Sequence, residues 1–180
     1  MDFYTSHDHF ALSSTQVHNG LNGQVPTELI KLSNLQSLEL LHQSLSGTIP
    51  TELGLMTMLT QLELSGNKFQ GVIPTEIFSG PQQLDQLWLR SNALTGTIPT
   101  VVGLFPGSGL RLDDNQLSGR IPPDIYQLTN LQWLFLLGNY VSGQLKLRTT
   151  RSCLVTRTDT TALSFSLQGL FPLKLVRLQT

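Results

Sequence analysis

An α/β solenoid is the fold class that this sequence predicts, and three observations predict it. The phrase LNGQVPTEL (21–29) returns as LSGTIPTEL (45–53), FQGVIPTEI (69–77), LTGTIPTVV (94–102) and LSGRIPPDI (117–125), and a stub, VSGQL (141–145), follows. Its glycines, Gly23, Gly47, Gly71, Gly96, Gly119 and Gly143, are separated by 24, 24, 25, 23 and 24 residues. Ahead of each phrase stands a short segment in which leucines alternate with polar residues. A fixed period of this length, holding one strand and one turn, signals coils that stack on their neighbours and bury apolar side chains between them.

Taken in chain order, residues 1–18 read as an irregular leader. Ser14 and Gln16 stand where later coils place strand leucines, so the first coil is degenerate. In each following coil the alternation predicts a strand with one buried face. Leu35, Leu38 and Leu40 fill the apolar slots first, then Leu59, Leu62 and Leu64, then Leu84, Leu87 and Leu89, and finally Leu131, Leu134 and Leu136. Three residues after the last strand leucine comes an amide: Gln43, Asn67, Asn92, Asn115 and Asn139, with Asn19 upstream. An amide side chain both donates and accepts, so this column is expected to pair turn groups that would otherwise be buried unsatisfied. The Gly-Ile-Pro phrase then turns the chain away. Gly permits a backbone denied to other residues, and Pro26, Pro50, Pro74, Pro99 and Pro122 set φ without donating to a ladder. An acid and an apolar residue follow, as in Glu52 and Leu53, and predict a short helical turn on the outer side.

Two coils depart from the pattern. The fourth is one residue short and puts Gly107 in a leucine slot, which predicts the weakest coil. The third carries an insertion, FSGPQQ (78–83), expected to bulge from the outer side. After Gly143 the period stops, leaving 146–180 as a basic tail. Residues 1–143 carry eleven acids against five bases, whereas 144–180 carry six bases against Asp159 alone. The tail fits an idiosyncratic cap, a disordered extension, or a frame change or intron read-through that replaced further repeats. The charge reversal where the period ends favours the last two.

The recurring pattern, written here as LTQLELSGNKFQGVIPTEIF and LQWLFLLGNYVSGQL, resembles the plant-type leucine-rich repeat over residues 19–145. That family is known from receptor-kinase ectodomains and polygalacturonase inhibitors. The resemblance implies an arc with a parallel sheet on its concave face and short helical turns on the convex side. It also implies a protein, peptide or glycan ligand on the strand-bearing face, and an extracellular or membrane-associated setting. The cysteine-paired N-terminal cap common among secreted members is absent.

Composition narrows the function. A net charge of -1 argues against a nucleic-acid partner. Cys153 is the single cysteine, so it can form no internal disulfide or thiolate cluster. The start MDFYTSHDHFALSS has no basic stretch leading into an apolar run and reads as an internal fragment or a cytosolic beginning. The longest uncharged stretch of the tail, 160–173, falls short of the roughly 20 apolar residues a bilayer span needs. His7, His9 and His18 read as solvated residues of the leader, and Asp113 and Asp114 as exposed turn residues. No metal, cofactor or catalytic motif is expected.

What remains is the exposed face of the predicted sheet. Glu39, Glu63, Trp88, Arg111 and Phe135 occupy its middle slot in successive coils, with Arg90 and Trp133 beside them. Trp and Arg are the types most enriched at binding hot spots, so this patch is the candidate ligand site; the alternative is that Trp133, Phe135 and Leu137 pack against a lost C-terminal coil or the tail. Its arginines suggest an acidic or aromatic-bearing peptide, or a sugar stacked on Trp88. The leading expectation is a noncatalytic binding scaffold. The alternative is the ectodomain fragment of a membrane receptor-like serine/threonine kinase whose kinase domain lies outside this chain. A purely structural assembly role, through strand edges left open at the solenoid ends, is a third.

Overall fold

The computed structural model describes residues 20–146 and the short segments 5–6, 9–11 and 152–155, with side chains described over 20–143. Strands β1 (Thr5–Ser6), β2 (His9–Ala11) and β3 (Asn22–Gly23) open the chain. Each coil then contributes a pair: β4 (Ser37–Glu39) with β5 (Ser44–Thr48), β6 (Gln61–Glu63) with β7 (Lys68–Gly71), and β8 (Gln86–Trp88) with β9 (Ala93–Leu94). The pairs β10 (Gly109–Arg111) with β11 (Ser118–Arg120) and β12 (Trp133–Phe135) with β13 (Tyr140–Lys146) follow, and β14 (Ser152–Val155) comes last.

The first strands of the coils assemble into one seven-stranded sheet in the order β1-β2-β4-β6-β8-β10-β12, and every pair from β2 onward is parallel. Residues assigned to an irregular leader thus supply two strands, with His9–Ala11 laid beside Ser37–Glu39. Leu38, Leu62, Leu87, Leu110 and Leu134 stand in register, all buried. One apolar seam therefore runs the length of the stack. The second strands form lateral sheets, β3-β5-β7-β9 and β11-β13-β14, joined by a single bridge from Thr97 to Ser118.

Each turn is built by its proline. Pro26, Pro50, Pro99 and Pro122 are extended and lead into 3-10 turns at Thr27–Lys31, Thr51–Leu55, Thr100–Leu104 and Pro123–Gln127. A residue before proline is driven to extended backbone. That geometry sends Val25, Ile49, Ile73 and Ile98 into the core. The outer layer of short helical turns follows from this alternation.

Both irregular coils keep their place in the core. At the insertion the 3-10 turn of the other coils is replaced by a wider, single α-helical one, α1 (Glu76–Ser79), with Phe78 and Pro81 buried while Ser79, Gln82 and Gln83 stay exposed. Phe78 meets Phe105 of the next coil edge to face, 6.4 Å between centroids. At Gly107 a Cβ would lie 2.5 Å from the Phe105 ring and also against the Leu84 and Asp85 carbonyls. The phenyl ring fills the slot that the short coil leaves without a leucine, so the expected weak point is packed.

Four asparagines stitch the coils together. Asn67, Asn92, Asn115 and Asn139 each donate to the last strand-leucine carbonyl of the preceding coil, at 2.7, 3.0, 2.9 and 2.8 Å. Each also accepts from a backbone amide of that coil: Leu45, Phe69, Leu94 and Leu117, at 3.2, 3.1, 3.1 and 2.9 Å. Gln43 shares the column but not the pattern. Its amide nitrogen donates to the Leu41 carbonyl at 2.9 Å, while its Oε1 is buried without a partner. The residue before each amide sits in the left-handed region, as Gly66 and Gly138 but also as His42, Ser91 and Asp114, with φ of 51°, 52° and 55°.

The basic tail lies largely outside the described residues. Within them β14 pairs antiparallel with β13, matching Leu145 to Cys153. That direction is opposite to stacking, so β14 closes the edge where a further lateral strand would add. Asn19, Ser14, Gln16 and the side chains of His7, His9 and His18 lie outside the described residues.

Candidate functional site

Strand alternation sends the residues flanking the buried leucines to the opposite face of the seven-stranded sheet. Parallel register then aligns Glu39, Glu63, Trp88, Arg111 and Phe135 in one row across β4, β6, β8, β10 and β12. Ser37, Gln61, Gln86, Gly109 and Trp133 form the row beside it. Neighbouring members of a row stand roughly 4.8 Å apart, so the candidate residues share one continuous surface.

At one end the surface is aromatic. Trp133 and Phe135 stack with rings 3° from parallel and centroids 6.5 Å apart. Arg111 lies over Phe135, 4.8 Å from the ring centroid. All three side chains are half-buried and so retain a face toward solvent. Trp88, one strand from Arg111, is half-buried as well.

The two arginines are bound to carboxylates of the same surface. Arg90 Nε lies 3.0 Å from Asp113 and 3.1 Å from Asp114, and Arg111 reaches Asp113 at 3.3 Å. Asp113 is only 7% exposed, which corrects its reading as a surface turn residue: it lies beneath both guanidinium groups. A signal existed in the sequence. Arg111 and Asp113 are two apart on one strand face, and Arg90 holds the slot equivalent to Asp113 one coil earlier.

At the other end the surface is acidic. Glu39 accepts from the Ser37 hydroxyl at 3.2 Å, and the Ser65 amide donates to Glu63 at 2.8 Å. Burial pushes the Glu63 carboxyl above the usual carboxylate range. Hydrogen bonds from Ser65 and the field of Arg111 offset this in part, and Glu39 adds to it. Neither glutamate has a Lys or Arg at ion-pair distance among the described residues. Four carboxylates thus face two cations across the surface. Among the described residues no cluster of His, Cys, Asp or Glu could hold a metal, and no helix is long and apolar enough to cross a membrane.

The sequence pattern described as Leucine Rich Repeat matches residues 58–79 and 108–128. Among solved structures, the plant peptide hormone receptor RGFR1 in complex with RGF2 is 34% identical, with a TM-score of 0.72, over 77% of this chain and 22% of that one. The ectodomain of the Arabidopsis thaliana membrane receptor kinase GASSHO1/SCHENGEN3 is 38% identical, with a TM-score of 0.68, over 71% of this chain and 15% of that one. A chain of the BIR3–SERK2 complex from the same plant is 32% identical, with a TM-score of 0.61, over 74% of this chain and 75% of that one. The sequence matches none of the curated proteins with which it was compared. The chain belongs to the leucine-rich repeat family, in the form found in plant receptor-kinase ectodomains. It spans about a fifth of the length of the first receptors it resembles.

Proposed function

We propose that this chain is a noncatalytic, extracellular ligand-binding scaffold that holds an extended peptide or protein segment on the exposed face of its seven-stranded sheet. The observation that carries the proposal is the in-register row Trp88, Arg111, Phe135 with Trp133 beside it, three side chains of hot-spot type and a phenylalanine on three adjacent strands. Aromatic rings fixed by their strands supply contact area at little conformational cost. The likeness to a peptide hormone receptor supports a peptide over a glycan. The length ratio to the receptor ectodomains supports a second reading, in which this segment belongs to a receptor-like kinase. A transmembrane run followed by a kinase domain in the full transcript would establish that reading.

Selection of random twelve-residue peptides displayed on phage tests the binding face. Binders should lose about fivefold or more in affinity, roughly 1 kcal/mol, on Trp88→Ala or Trp133→Ala, and nothing on the outer-side control Glu52→Ala. Binders equally sensitive to both faces, or no binders, would overturn the proposal.

A further inference from the structure

The same face carries a charge polarity that the residue list alone does not reveal. Arg90 and Arg111 are the cations that would recommend an acidic ligand, yet both are already engaged, Arg90 by Asp113 and Asp114, Arg111 by Asp113 and by the ring of Phe135. An incoming carboxylate would meet guanidinium groups whose charge Asp113 and Asp114 already balance, and would approach against the repulsion of both. Among the described residues, the carboxylates of this row with no Lys or Arg at ion-pair distance are Glu39 and Glu63, at its opposite end, Glu39 half-buried and Glu63 buried.

Resting on the binding role proposed above, we infer that the partner is a basic-aromatic polypeptide segment lying across the strands. It sets a lysine or arginine over Glu39 and Glu63, and an aromatic or large apolar residue on the Trp133–Phe135 stack. The spacing follows from the sheet. From β6 to β12 is three strand steps and from β4 to β12 four, or roughly 14 and 19 Å at about 4.8 Å per step. An extended chain covers about 3.3 Å per residue, so the two anchors stand about four to six residues apart. Trp88 and the amides of Gln61 and Gln86 lie between them and suit uncharged intervening residues. Acidic segments are rejected because the face holds four carboxylates and its two arginines are already paired with two of them.

The peptide selection tests this when the enriched pools are sequenced and the strongest binder is synthesised. Pools selected on the wild type should hold Lys or Arg about four to six positions from an aromatic residue, enriched roughly threefold over the starting library. Glu39→Lys should weaken that peptide about tenfold and, used as bait, should select acidic residues at the same position. Should the lysine variant melt like an unfolded chain by circular dichroism, Glu39→Gln serves instead, with about a threefold loss expected. Pools that depend on Trp88 and Trp133 but favour Asp, Glu or no charge, or ignore Glu39→Lys, overturn the polarity and leave the binding face standing. Pools that ignore Trp88→Ala and Trp133→Ala, or an empty selection, overturn both.

Discussion

The ring of Phe105 occupies the space from which a leucine is missing at Gly107, two residues further along the chain. A coil that lost one residue thereby keeps its share of the core, with Phe78 of the preceding coil supporting the ring edge to face. Phe105→Ala should destabilise the protein by about 3–5 kcal/mol in urea unfolding, the range for an emptied aromatic site. Restoring the family residue should fail: Gly107→Leu would drive a side chain into the ring and the preceding backbone, costing about 1–3 kcal/mol. A stabilised Gly107→Leu variant would show that the slot is empty.

The asparagine column makes a second prediction. Removing the Asn115 amide orphans the Leu94 N–H inside the stack and takes one of two donors from the Leu89 carbonyl, which keeps the Asn92 amide at 3.2 Å. Asn115→Ala should therefore cost about 1–3 kcal/mol, and Asn92→Ala a similar amount, because a buried group loses its partner in each. At Gln43 the argument reverses. Shortening this side chain to the ladder length should let its oxygen accept from the Leu21 amide, the equivalent donor one coil back. Gln43→Asn is expected to stabilise by about 0.5–1.5 kcal/mol, the net worth of one hydrogen bond. A melt no higher than wild type would place the orphaned oxygen beyond repair by this change.

Glu63 should make stability depend on pH in the sense opposite to a salt-bridged acid. Its carboxyl titrates higher in the folded chain than in the unfolded one, because burial disfavours its charge more than Ser65 and Arg111 favour it. The folded state then holds more protons between the two values, so stability falls as pH rises through that window and the penalty is complete above it. Glu63→Gln keeps the acceptor for the Ser65 amide and removes the titration. Its melting temperature relative to wild type should be higher at pH 7 than at pH 4. Thermal scans of both proteins at each pH decide it, and a difference that is constant or larger at pH 4 would contradict the burial argument.

Asp113 is the key to the charge of the inner face. Asp113→Ala should release Arg111 and leave Arg90 with the exposed Asp114 alone, at a cost of only about 1 kcal/mol because the arginines reach solvent. The released guanidinium groups should then accept acidic peptides that the wild type excludes, measured as a gain in affinity for a glutamate-containing peptide at low ionic strength. Unchanged discrimination would mean that the arginines are available in the native protein.

Much of this architecture is local in origin and therefore legible in the chain. Leu38, Leu62 and Leu87 alternate with polar neighbours, and the coils that carry them are nearly equal in length, so parallel stacking and register follow from period alone. That register also brings Glu39, Glu63, Trp88, Arg111 and Phe135 into one row, since rows are sequence positions repeated. What only the tertiary structure decided are the places where one coil answers to another by side-chain reach. Phe78 turned inward and Phe105 filled the gap at Gly107 because coils one residue too long or too short must still meet flat neighbours. Asp113 drew both arginines onto itself because adjacent strands bring the three groups within ion-pairing distance; the shared slot of Arg90 and Asp113 puts them on neighbouring strands, and side-chain reach across those strands makes the pairs. The period sets the spacing of the rows; packing across coils determines which of their charges remain free.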